Sequence, residues 1–172
     1  QDSKMEDPSE QGNLMSEVSM TDGFAILGLR GAAGLAPADR AKLLMGQNEY
    51  RPAHDLLTSL TTALREDAEI SRLLTHLDFI LAAEDAPSLA TLTQRIETNP
   101  DDLEARYQLA AVQLVSDDLE SAMAQLLEIA QRGRGFRDDI GRRGLVALFD
   151  MLGTEHPLTA RFRPMLASAL DY

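Results

Sequence analysis

Residues 99–130, NPDDLEARYQLAAVQLVSDDLESAMAQLLEIA, hold two segments of helical period and nearly equal length, with alanines at fixed places along them. Asn99 suits a helix cap, Pro100 the first helical position, and Asp101 and Asp102 the positive end of the helix dipole. The first helix presents Leu103, Tyr107, Ala110 and Leu114 on one face, with Leu109 beside them. The run SDD ends it, and Asp117 with Glu120 reads as a capping box for the next helix. That second helix presents Leu119, Ala122, Met123, Leu126, Ile129 and Ala130. A helical hairpin of this size cannot bury such a face alone, so the stretch calls for stacked copies of itself.

A second copy lies upstream. In GQNEYRPAHDLLTSL, Tyr50, Ala53, Leu57 and Leu60 stand where the later copy has Leu119, Ala122, Leu126 and Ile129. The helical period takes over at Pro37 and predicts a short helix over PADRAKLLMGQ and a longer one over RPAHDLLTSLTTALRE. AEISRLLTHLDFILAAE follows, with PSLATLTQRIE as its partner, again opened by a proline. No segment alternates with period two long enough to argue for a strand. Residues 1–36 read as a flexible or irregular N-terminal segment: 1–22 are polar and acidic, and GFAILGLRGAAGLA (23–36) is apolar and rich in small residues. That apolar run is too short to span a bilayer and is interrupted by Arg30. The chain begins with Gln rather than Met, so the native N-terminus is expected to lie upstream.

The spacing of Leu109, Ala110, Leu119, Ala122, Leu126 and Ile129 resembles a tetratricopeptide repeat. That pattern wants small residues at its eighth and twentieth positions, where its two helices approach closely; Ala110 and Ala122 fill both. Its usual Trp is Arg106 here and its closing Pro is Arg134. The 69 residues between Ala53 and Ala122 are close to two repeat lengths of about 34 residues. The expected fold is therefore all-α: a tetratricopeptide-like solenoid of helical hairpins over 37–172, with a C-terminal capping helix pair.

Charge and chemistry narrow the function. The formal net charge is −12, and it is uneven: residues 132–172 carry 7 Arg against 5 acidic side chains, the rest 9 basic against 23 acidic. An acidic body repels phosphate backbones, which argues against nucleic acid as partner. The absence of Cys excludes disulfides, thiolate metal sites and Cys nucleophiles within these 172 residues. His54, His76 and His156 are scattered over different helices. Asp101–Asp102, Asp117–Asp118 and Asp138–Asp139 fall at predicted helix starts, where cap and dipole explain them. GRG at 133–135 lacks the context of a nucleotide loop and reads as a turn. No catalytic, cofactor or metal residue is expected. Arg132, Arg134, Arg137, Arg142 and Arg143 cluster around one helix start, where they oppose the dipole; they either pair with Asp138, Asp139 or Asp150 or meet an acidic partner. The last helix carries Phe162, Met165, Leu166, Ala169 and Leu170 on one face, fit either to cap the array or to bind.

FRDDIGRRGLVALFDMLG followed by HPLTARFRPMLASAL, together with NPDDLEARYQLAAVQL, resembles the C-terminal region of the YbbN-type co-chaperedoxins, in which a thioredoxin-like domain precedes a tetratricopeptide-like array. The resemblance spans 37–172. It implies a cytoplasmic bacterial co-chaperone that binds unfolded polypeptides and a GroEL-type chaperonin, the latter through its C-terminal helices. The candidate partner-binding residues in that region are Arg137, Arg142, Arg143, Arg161, Phe162, Met165, Leu166, Leu170 and Tyr172. These 172 residues contain no Cys-X-X-Cys, so no redox activity carries over. Pro164 removes one backbone donor and is expected to kink or restart the last helix near Arg163.

Overall fold

The computed structural model describes residues 34–171. Residues 1–33 of the N-terminal segment 1–36, including most of the apolar run 23–36, and the candidate residue Tyr172 lie outside them. Among the described residues there are nine α-helices and no strand: α1 (Pro37–Gly46), α2 (Tyr50–Thr58), α3 (Thr62–Arg65), α4 (Ala68–Glu84), α5 (Leu89–Thr98), α6 (Leu103–Val115), α7 (Leu119–Arg132), α8 (Ile140–Leu152) and α9 (Pro157–Leu170). The all-α reading holds.

Hydroxyl and carboxylate side chains set the helix boundaries, in several places differently from the expectation. The single helix predicted over 51–66 is two. Thr58 Oγ1 donates to the His54 carbonyl at 2.9 Å and Ser59 Oγ to Leu56 at 2.7 Å, drawing off carbonyls at the end of α2. Thr61 then caps α3 by accepting from the Leu64 N–H. Pro87 does not open α5; Ser88 is its cap, accepting from Thr91 N–H at 3.2 Å. Likewise α6 starts three residues later than the Asn99–Pro100 signal implied. Asn99 Oδ1 accepts from the Asp101 N–H in a turn, and Asp102 caps the helix through Ala105 N–H at 3.0 Å. The cap of α7 is Asp118, bonded to Ser121 N–H, one residue beyond the expected Asp117. Asp117 instead takes the left-handed turn conformation, φ 65°, which Asp tolerates.

The small-residue positions behave as the repeat pattern requires. Ala53, Ala110 and Ala122 are all 0% exposed, so helix axes close up over them. Arg106, standing in place of the repeat's Trp, is buried. Its Nε donates to the Pro100 carbonyl at 2.8 Å and its Nη1 to Gln125 Oε1 at 2.9 Å, tying the α5–α6 loop to α7. Burial lowers its pKa.

Packing divides into three apolar clusters. The first unites α1, α2 and α4 around Ala41, Ala53, Leu57 and Leu77. The second seats α5 on α6 through Leu92, Ala105 and Leu109. The largest joins α4, α6, α7, α8 and α9 around Phe79, Tyr107, Met123, Leu126, Leu145, Phe149 and Phe162. The expected α4–α5 hairpin is therefore not the packing unit, because Leu92 and Ile96 face α6. Successive helices pack as α1 on α2, α2 on α4, α4 on α6 and α6 on α7, and α8 packs on α7 and also reaches α4. Glycine permits this. A Cβ at Gly141 would stand 2.7 Å from the Ala130 nitrogen, and one at Gly144 3.0 Å from the Phe79 ring.

The last helix does not restart at Pro164. It runs from Pro157 to Leu170 unbroken, with Pro164 on its exposed side and Phe162 and Leu166 turned into the core. Packing by those two residues holds the helix together where one backbone hydrogen bond is missing.

Candidate protein-binding groove

The first turn of α8 is preceded by a loop that the sequence marks only by its charge, and it forms one wall of a groove. Arg137, Asp138 and Asp139 are three consecutive non-glycine residues in left-handed backbone, at φ 47°, 56° and 63°. Asp tolerates this conformation singly, but three such residues in succession, the first an Arg, are strained and need support from outside their own segment. Arg143, one turn into α8, supplies it. Its Nε donates to the Asp138 carbonyl at 2.7 Å and its Nη2 to the Arg137 carbonyl at 3.1 Å. Its Nη1 donates to Thr75 Oγ1 of α4 at 2.7 Å, so one guanidinium ties the turn to a helix 68 residues away.

The groove itself encloses about 650 Å³ between α2 and α3 on one side, α4 on its floor, and α6 with the 137–139 turn on the other. Tyr107 rises from α6 into its base. The phenol donates to the Asp78 carbonyl at 2.9 Å, the ring packs against Phe79 at 5.4 Å between centroids, and the Arg137 guanidinium lies 4.8 Å above it. Burial pushes the Tyr107 pKa up, with the nearby Asp78 charge adding to the effect, so the phenol remains a donor. Asp78 is shared: one carboxylate oxygen sits 2.9 Å from His54 Nε2 of α2, the other 3.9 Å from Arg143. The lining is polar and charge-balanced, with Arg65, Arg137 and Arg143 against Glu66, Asp78 and Asp138.

Of the nine residues indicated by the sequence, the eight that lie among the described residues are spread over more than one surface. Arg137 and Arg143 line this groove; Arg142 lies in the neighbouring depression between α4 and α8, bonded to Asp139 at 2.6 Å. Of the other pairings expected with Asp138 and Asp150, Arg143 instead bonds the Asp138 carbonyl, and other acids take Arg132 and Arg137. Arg137 grips Glu104 through two hydrogen bonds of 3.1 and 2.9 Å, and Arg132 pairs with Asp101 and Glu128, both at 2.7 Å. Arg134 donates to the Leu170 carbonyl, binding the end of α9. On α9, Arg161 pairs with Glu120. Phe162 and Leu166 are 2% and 5% exposed, so they are core residues and present no surface to a partner. Met165 is 43% exposed and Leu170 half-buried. The sequence does not mark Tyr107, Asp78 and His54 as groove residues; Tyr107 belongs there to an apolar stripe.

The remaining polar candidates have structural partners. Asp102 accepts two hydrogen bonds from Arg95, each 3.0 Å, as well as its cap bond, and the Arg95 contact holds its pKa below the usual carboxylate value. His156 Nδ1 accepts from Leu158 N–H and caps α9. His76 stands exposed beside Phe79 and Ile80, where partial desolvation lowers its pKa. Among the described residues no helix is long and apolar enough to cross a membrane.

The tetratricopeptide repeat family matches residues 82–170, just over half of the sequence, from the end of α4 to the end of α9. No curated protein and no solved structure matches the chain. The matched span covers the α6–α7 hairpin with its close-packed Ala110 and Ala122, together with the pair α8–α9 that closes the array. Repeats of this kind generally mediate protein–protein interaction and are typically non-catalytic. Hairpin packing, small-residue crossings and family match agree, and this chain belongs to the tetratricopeptide repeat family.

Proposed function

We propose that residues 37–172 are a protein-binding module that receives a segment of partner polypeptide in the groove over Tyr107, and that the module is the repeat half of a cytoplasmic co-chaperone serving unfolded polypeptides and a GroEL-type chaperonin. The observation that carries the binding site is the strained turn at 137–139, pinned by Arg143 at the groove wall. Strain of this kind is retained where a fixed backbone geometry matters. Arg137 and Arg143 are the partner-binding residues of this reading, Arg137 by contact and Arg143 by positioning. The co-chaperone part rests on the resemblance of 99–172 to the co-chaperedoxin C-terminal region. The charge-balanced groove lining favours a second reading beside it, a repeat scaffold in a bacterial assembly complex that holds polar segments of folded partners.

Deleting the last helix would be a poor test, because it removes Phe162 and Leu166 from the core. The informative experiment measures binding of the intact chain to a purified GroEL-type chaperonin and to a chemically unfolded reporter protein, alongside Arg137→Ala. Binding of both that weakens about tenfold in the variant supports the co-chaperone reading. Binding of neither removes it, and binding indifferent to Arg137 moves the site away from this groove.

A further inference from the structure

A second depression lies on a different face and has the opposite chemistry. It encloses about 300 Å³ between α4 and α8, closed at one end by the α6–α7 turn. Phe79 and Ile80 from α4, Leu114 from the end of α6, Leu119 from the start of α7, and Leu148 from α8 form its sides. Gly144 lies in its lining, and a Cβ there would meet Phe79 and Leu126 at 3.0–3.1 Å. Two large apolar side chains stand open at its edge, Val115 at 68% and Met151 at 65% exposure. They are the two most exposed of the large hydrophobics among the described residues. Contiguous apolar surface left open in this way marks an interaction site, and an exposed Met adapts to more than one apolar surface.

The lining also fixes the charge of what fits. No Lys or Arg lines the depression, whereas Asp117 does, and Asp118 follows it on the same turn. His76 is the other titratable group in the lining; Arg72 and Asp150 belong to the adjoining depression on the far side of Thr75 and Ala147. A trough between two helices receives a third helix by ridge-into-groove packing, with anchors at i, i+3, i+4 and i+7. We propose that this trough docks the apolar face of a short amphipathic helix from a partner protein, with Lys or Arg on the flank that meets Asp117 and Asp118. The inference is independent of the function assigned to the groove over Tyr107, since the two surfaces share no lining residue.

The probe is a labelled synthetic helix of about 14 residues, four turns, with Leu at i, i+3, i+4 and i+7 and Lys on the flanks. A second peptide carries Glu in place of Lys. Anisotropy titrations against the intact chain at low salt should favour the Lys peptide by about threefold, the scale of one exposed ion pair. Asp117→Asn with Asp118→Asn, which keep the left-handed turn and the helix cap, should remove that preference. Val115→Lys with Met151→Lys should weaken both peptides by more than about tenfold while the helical circular dichroism stays unchanged. Equal binding of both peptides by the unaltered chain, or binding untouched by the double variant, overturns the proposal. So does tighter binding of a peptide of residues 23–36, or Met151-dependent self-association in sedimentation; each would assign the trough to this chain's own sequence.

Discussion

Gly141 sits where α8 crosses α7 most closely, and replacing it with Ala sets two effects of known size against each other. In an ordinary helix interior Ala is better than Gly by about 1 kcal/mol. Here the added Cβ would stand 2.7 Å from the Ala130 nitrogen and 2.8 Å from the Leu126 carbonyl oxygen. Both are backbone atoms of α7, which cannot swing aside as a side-chain end can, so the helices must separate. Overpacking of this kind costs about 1–3 kcal/mol, and rigid backbone contacts put it at the upper end. The net expectation for Gly141→Ala is a loss of about 2 kcal/mol. For a chain of this length that corresponds to a fall in Tm of about 4–8 °C by differential scanning calorimetry. Gly46→Ala is the control. Gly46 ends α1 and has nothing within 4 Å of its Cβ position, so its Tm should stay level or rise slightly. An unchanged or raised Tm for Gly141→Ala would refute the close-crossing argument, and an equal fall for Gly46→Ala would show that the loss is not specific to the crossing.

Phe162→Ala should cost about 3–5 kcal/mol by chemical denaturation, because the ring is core, whereas Met165→Ala, three residues on and half exposed, should stay within about 0.5 kcal/mol; similar losses for both would contradict the assigned helix face. Asp102 should mark the acid limb of stability. Its folded pKa is lowered below the ordinary 3.8 by Arg95, so its contribution is present above that value and is lost as pH falls through the lowered one. Asp102→Asn, which keeps a helix cap, should therefore be less stable than the parent by about 1 kcal/mol at pH 7, with the gap closing toward pH 2; a gap that persists into acid would mean that the Arg95 pair is not its source.

The helices were legible in the sequence because each buries an apolar stripe of period 3.6, and the alanines at 53, 110 and 122 were legible because helix crossings admit little else. The starts of α6 and α7 were less so. NPDD and SDD each offer several residues able to cap, and the choice falls to tertiary partners: Arg95 reaches Asp102, and the left-handed turn takes Asp117. The basic cluster at 132–143 was visible, and so was the local pair Arg142–Asp139, but the distant partners were not. Glu104 and Thr75 lie 33 and 68 residues from the arginines that bind them, and no local spacing encodes such contacts. The groove has the same origin. It combines α2, α3, α4, α6 and the 137–139 turn, and Tyr107 carries the signal of an ordinary stripe residue until Asp78 and Arg137 are seen around it.

The contact between α8 and α4 changes how the molecule should come apart. In an open array each hairpin touches only its neighbours, and the ends can fray one unit at a time. Here the bond from Arg143 to Thr75 and the seat of Gly144 against Phe79 close a loop that takes in α5, α6 and α7. Losing α8 would strip α4 as well as α7, so amides in α4, α6, α7 and α8 should exchange with solvent together, as one cooperative unit, with the paired ends of the sequence-distant contact setting the slow step of folding.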